Sequence, residues 1–253
     1  MYRVVVPARY GATRLPGKAL LQLAGKPLVQ WVYERAQRSG AHQVIVATDD
    51  ERIAQAARSF GAEVRMTAST HASGTDRIAE VARCEHWGDA DIVVNVQGDE
   101  PLMPEALIDQ VAALLASQPG ADIATLAAPL ASVASLLDPN VVKVVADLRQ
   151  RAMYFSRAPI PWPRDGAPSG LTSQASFAGS RRHLGIYAYR VAALQRMAAL
   201  PPSALERLEQ LEQLRALEHG MDIRVADAVV APGPDVNTAA DLAAAEALLA
   251  AIG

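Results

Sequence analysis

Two hydrophobic rhythms alternate through the first half of the chain. Short β-branched runs at 3–6, 43–47, 63–66, 91–96 and 122–128 read as strands, and the amphipathic stretches 27–38, 50–60, 75–85 and 104–117 read as helices. Pro27 and Pro104 stand at the first helical position, where a missing N–H forfeits no intrahelical bond. Strand followed by helix, repeated, predicts βα units around a mostly parallel sheet flanked by helices, an α/β fold. The rhythm then breaks. Residues 141–147 and 152–156 read as a hairpin, and 157–182 is rich in Pro, Gly and Ser with little periodicity. A strand at 183–189, a helix at 203–217, a strand at 222–230 and an Ala/Leu-rich helix at 238–252 follow.

Composition narrows the function classes. The 253 residues are 51% hydrophobic and 20% charged, enough for one large domain that buries roughly 70–75% of its unfolded surface. A single cysteine, Cys84, excludes an intrachain disulfide and a cysteine-rich zinc module, and suits a reducing compartment. The net charge of −3 supplies no global basic field, so nucleic acid is not an expected partner and any polyanion must be met by a local cluster. The apolar run Val4-Val5-Val6 is too short for a signal peptide, and no stretch approaches the ~20 apolar residues that span a bilayer. A cytoplasmic protein without membrane insertion is expected.

Ligands of parallel α/β sheets gather beyond the carboxyl ends of the strands, so the loops after the strands hold the candidate chemistry. The first of these, Pro7 to Lys18, carries Arg9, Arg14 and Lys18 together with Gly11 and Gly17. Arginine offers forked donors, lysine a point charge, and glycine lets backbone N–H groups approach phosphate oxygens. A multiply anionic ligand is expected there. Neither general phosphate motif is present: G-x-G-x-x-G is missing, which argues against a dinucleotide-dependent oxidoreductase. Five residues rather than four separate Gly11 from Gly17, with Ala19 where a P-loop needs Ser or Thr.

In Ala47-Thr48-Asp49-Asp50, Asp49 or Asp50 reads as the cap of the following helix. Ser73-Gly74-Thr75-Asp76-Arg77 forms a helix start open to a ligand, with Ser73 or Thr75 also serving as a plain cap. The strand at 91–96 delivers Gln97, Gly98, Asp99 and Glu100 at its carboxyl end, and a carboxylate beside phosphate suits a hard cation such as Mg²⁺. Arg157, followed by prolines and Trp162, reads as a carboxylate partner or as a surface ion-pair residue. Two-residue alternation puts His183, Gly185, Tyr187 and Tyr189 on one strand face. Glu212 and Gln213 lie on a helix whose leucines pack, so spacing alone leaves them solvated.

The loop Pro7-Ala8-Arg9 with Thr13-Arg14-Leu15-Pro16-Gly17-Lys18 resembles the signature of the sugar nucleotidyltransferases. Val96-Gln97-Gly98-Asp99-Glu100-Pro101 and His183-Leu184-Gly185-Ile186-Tyr187 resemble, among them, the 3-deoxy-manno-octulosonate (Kdo) cytidylyltransferases, with matches in order from Pro7 to Leu242. The resemblance implies a single Rossmann-like domain over 1–253, with 141–190 as a sugar-binding and dimerisation subregion of a homodimer. It implies CTP contacts from Ala8, Arg9, Arg14, Lys18, Thr48, Asp49, Gly74, Thr75 and Arg77, with Lys18, Arg14 and Asp99 carrying catalysis. Sugar contacts fall to Gln97, Arg157, His183, Tyr187, Glu212 and Gln213, and Mg²⁺ to Asp99 and Asn237. Asn237 departs from the family's aspartate, keeping an oxygen ligand but losing a charge, and reads also as a helix cap. The implied reaction moves CMP from CTP to Kdo for lipopolysaccharide assembly. A related acidic sugar, such as 8-amino-Kdo or a sialic acid, and a non-catalytic nucleotide-binding relative are the alternatives.

Overall fold

The computed structural model describes residues 1–11, 17–166, 170, 173–233, 236 and 238–252. Arg14 and Asn237 lie outside the described residues. The first half follows the predicted alternation closely: β1 (Tyr2–Ala8), the small pair β2 (Gln22–Leu23) and β3 (Lys26–Pro27), then α1 (Leu28–Arg38), β4 (Gln43–Thr48), α2 (Glu51–Ser59), β5 (Glu63–Met66), α3 (Gly74–Cys84), β6 (Ile92–Asn95), α4 (Glu105–Ala116) and β7 (Ile123–Pro129). The second half holds α5 (Val133–Leu137), β8 (Lys143–Ala146), β9 (Ala152–Ser156), β10 (Arg181–Arg190), α6 (Val191–Ala199), α7 (Ala204–Glu209), α8 (Gln213–Glu218), β11 (Ile223–Asp227) and α9 (Ala239–Ile252).

The main sheet runs β11-β7-β10-β6-β1-β4-β5. Pairs β1–β4, β1–β6, β4–β5 and β7–β11 are parallel, and β10 enters antiparallel between β6 and β7. Both faces are covered, which is why the strands are apolar at successive positions. Val4 and Val6 of β1 pack with α1 and α4 on one face, while Val5 packs with α3 and α6 on the other.

The hairpin β8–β9 continues the main sheet, because β8 pairs with β10 through Arg182 and Lys143. Its turn is also anchored: Gln150 O accepts from Val225 N–H at 2.8 Å, and Arg151 pairs with Asp222.

Two expectations need correction. The helix at 203–217 is two helices, because Gln210 adopts a left-handed conformation at φ 52° that ends α7, and Leu208, one of the leucines assigned to packing, stays exposed. Helix α6 has no counterpart in the sequence reading. It follows β10 without a turn, so no Gly or Pro punctuates its start.

Candidate active site

Parallel pairing brings the ends of β1, β4 and β6 to the same edge of the sheet, with Ala8 beside Thr48 and Val5 beside Asn95. The connections beyond them then close together. Gly98 sits so near β1 that a Cβ there would lie 2.8 Å from the Pro7 carbonyl oxygen, and a Cβ on Gly74 would lie 3.3 Å from Pro7 Cγ and 3.8 Å from Gln97 Oε1. Both positions need the missing side chain for close approach. The cationic loop and the acidic strand tip meet here: Lys18 Nζ donates to Asp99 Oδ2 at 2.8 Å. Residues 81 apart in sequence thus share one crevice.

Ala8 is buried at the end of β1 and Arg9 is exposed just beyond it. The described part of that loop is tied at its neck, where Tyr10 O accepts from Gly17 N–H at 2.9 Å and the Arg52 guanidinium lies over the Tyr10 ring at 3.4 Å. The two acids of the β6 tip diverge. Asp99 is partly exposed, whereas Glu100 is buried and reaches toward β10, 3.1 Å from where a Cβ on Gly185 would stand. Asp99 O also accepts from Val236 N–H at 3.2 Å, which brings Val236 to the same strand tip.

Beneath the crevice the middle loops are mutually satisfied. Thr48 is fully buried, and its Oγ1 accepts from Asp50 N–H at 3.2 Å. Asp50 is the N-cap of α2, accepting from Arg52 N–H at 3.0 Å. Asp49 instead pairs with Arg77 at 3.1 Å, and the buried Arg77 also bonds Thr67. Ser73 caps α3 in a capping box with Asp76, which frees the Thr75 hydroxyl to donate to Glu212 Oε2 at 2.8 Å.

That last bond opens a second layer beside the crevice. Burial raises the Glu212 carboxyl above its ordinary range, against the hydrogen bonds of Thr75 and Ser73. Its Oε1 is buried with no hydrogen-bond partner among the described residues, and so is Asn95 Oδ1. Tyr187 stacks on Tyr189 at 5.7 Å and tilts against His183 at 5.2 Å, so the predicted face of β10 forms one aromatic row. Burial pushes both phenols well above their usual range.

His183 stands edge-on to Phe155 at 4.9 Å, with Nε2 2.9 Å from Thr125 Oγ1. Thr125 gives its one proton to the Ile186 carbonyl at 2.7 Å, so His183 Nε2–H donates and Nδ1 remains the ring's acceptor. Burial holds this imidazole down to about 3, neutral across the physiological range.

Gln97 is half-buried at the β6 tip and Gln213 is buried in the first turn of α8. Arg157 is committed to backbone: Nε donates to Glu209 O at 2.6 Å, Nη1 to Pro139 O at 2.9 Å and Nη2 to Gln210 O at 3.4 Å. Asn95, Tyr189 and Lys143 belong to the site's surroundings without having been singled out as site residues. Asn95 and Lys143 look like ordinary strand residues in sequence, and only Tyr189 carried a signal, the alternation of β10.

A magnesium site fits this donor set in part. Among the described residues no three His, Cys, Asp or Glu side chains converge on one point. Asp99 supplies one carboxylate, which suits Mg²⁺ when substrate phosphates complete the shell. Among the same residues no helix is long and apolar enough to cross a membrane.

Comparison with known proteins agrees with this geometry. The chain is 57% identical over 244 residues to the 3-deoxy-manno-octulosonate cytidylyltransferase of Halorhodospira halophila, covering 96% of this chain and 95% of that one. It is 53% identical over 250 residues to the enzyme of the same name from Pseudomonas fluorescens, covering 99% and 98%. A solved structure of CMP:2-keto-3-deoxy-manno-octonic acid synthetase complexed with CTP superposes with a TM-score of 0.89 at 44% identity, covering all of this chain and 99% of that one. A cytidylyltransferase of Leptospira borgpetersenii, at 16% identity and a TM-score of 0.55, shares the fold. Residues 3–223 match the family described as "Cytidylyltransferase", and the chain belongs to that family.

Proposed function

We propose that this chain transfers CMP from CTP to Kdo, giving CMP-Kdo and diphosphate. The observation that carries the reading is the 2.8 Å contact of Lys18 Nζ with Asp99 Oδ2, which joins the cationic loop to the acidic strand tip, in a chain 57% identical to a Kdo cytidylyltransferase. In the reaction the anomeric oxygen of the sugar bonds to the α-phosphorus, the bond from that phosphorus to the β-phosphate bridging oxygen breaks, and the hydroxyl proton is released. The protein's work is then positioning and charge stabilisation.

Arg9, Arg14 and Lys18 offset the triphosphate's charge, and backbone around Ala8, Gly74 and Thr75 lines its path. Thr48, Asp49 and Arg77 form the floor on the nucleotide-base side, held by the Asp49–Arg77 pair. Gln97, His183, Tyr187, Glu212 and Gln213 face the sugar acid. Glu212 Oε1 suits a hydroxyl donor because it is a buried acceptor with its bonding capacity open. Asp99, with Asn237, would hold Mg²⁺, whose chemistry is Lewis-acid polarisation of the α-phosphate.

The test is diphosphate release from CTP with Mg²⁺ and each of Kdo, 8-amino-Kdo and a sialic acid. Kdo should give the highest kcat/KM. Preference for another acidic sugar overturns the substrate, and no diphosphate with any of them overturns the activity.

A further inference from the structure

Lys143 begins β8 and is fully buried, one of the largest fully buried side chains among the described residues. An ammonium removed from water needs strong compensation, and here all three protons go to backbone carbonyls. Nζ donates to Asp138 O at 2.9 Å, Val141 O at 2.6 Å and Arg157 O at 2.6 Å. Burial lowers its proton affinity, while Asp138 and Glu209 act in the opposite direction.

Each segment it gathers leads to a residue of the sugar side. The turn before β8 carries the Val142 carbonyl, which accepts from the His183 backbone N–H at 2.8 Å. Arg157 takes Lys143 on its own carbonyl and spreads its guanidinium over the carbonyls of Pro139, Glu209 and Gln210. Its backbone N–H donates to Glu209 Oε2 at 2.8 Å, and Ser156 Oγ donates to Glu209 Oε1 at 2.7 Å. Gln210 is the left-handed residue that separates α7 from α8, so this clasp holds the bend just before Glu212 and Gln213.

We propose that Lys143 is a positioning residue: its ammonium, acting through Arg157, sets the register of 209–213 and so the placement of Glu212 and Gln213. The kinetic consequence rests on the function proposed above; the structural one does not.

Two variants test it. Lys143→Met keeps the apolar stem and removes the three donors, and Arg157→Lys keeps a charge while losing the forked reach over three carbonyls. Hydrogen exchange on the unliganded protein should show at least tenfold faster exchange across 209–215 in either variant, with 98–103 unchanged. Steady-state kinetics should show KM for Kdo raised about tenfold or more while KM for CTP stays within about twofold. Lys143→Arg, which restores donors, should recover part of the sugar KM. Unchanged exchange across 209–215 in both variants, or a CTP KM that rises in parallel with that for Kdo, overturns the proposal. If the unaltered protein does not use Kdo, the proposed function fails and the exchange result alone decides the role of Lys143.

Discussion

The two sides of the site are built by different physics. On the proposed nucleotide side, groups arrive at the ends of neighbouring parallel strands, and a partly exposed pair, Lys18 and Asp99, joins two of the loops near the Asp49–Arg77 pair. On the proposed sugar side, Tyr189 is buried, Glu212, Tyr187 and His183 are half-buried, and the groups are held by bonds between distant segments, such as Thr75 to Glu212 and Lys143 to Arg157. An open charged mouth suits a triphosphate that brings its own hydration and counterions. A more enclosed polar layer, with the buried acceptors Glu212 Oε1 and Asn95 Oδ1, suits a sugar whose hydroxyls can satisfy them, because an unmatched buried acceptor is costly.

This contrast yields graded expectations. Lys18→Ala should lower kcat/KM for CTP by roughly 10²–10³-fold with little change in stability, measured by steady-state kinetics and thermal melting. An equally large effect of this substitution on the melting midpoint would erase the distinction between mouth and scaffold. Arg77→Met leaves Asp49 without its buried partner and should cost about 3 kcal/mol in urea unfolding. A loss of CTP affinity without loss of stability would move Arg77 from floor to ligand contact.

His183 sharpens the contrast through pH. Its folded-state value of about 3 lies below the ordinary histidine range, so the folded protein binds fewer protons than the unfolded chain between those limits. Its stabilising contribution is full above about pH 6.5 and is lost as pH falls toward 3, amounting to roughly 3 kcal/mol by pH 4. Urea unfolding at pH 7 and pH 4 checks this, and His183→Gln should remove that part of the slope. The smallest effect is expected for Glu212→Gln, which keeps the Thr75 contact while altering the acceptor: KM for Kdo should rise about tenfold and KM for CTP should hold.

Legibility in the sequence follows the same division. Strands β5 and β9 were readable to the residue, and the first four helices to within a residue or two at each end, because both sheet faces are buried and the strand-helix rhythm is local. The cationic loop and the β6 tip were readable because each is a contiguous motif. The break at Gln210 was not, because the leucine spacing continues through it and the bend is held by Arg157 from 53 residues away. Nor was Lys143, since a lysine at a strand start ordinarily faces water, and its burial depends on carbonyls that only the folded chain assembles. Asp50 shows local chemistry at work: the cap reading is the one the structure contains.

The central claim is that the Lys18 loop and the Asp99 strand tip act together on one triphosphate. The most direct measurement is diphosphate release by Asp99→Asn with CTP, Kdo and Mg²⁺, alongside its melting midpoint. The account predicts a loss of about 10³-fold or more in turnover with the midpoint unchanged. Turnover within about tenfold of the unaltered protein would contradict it.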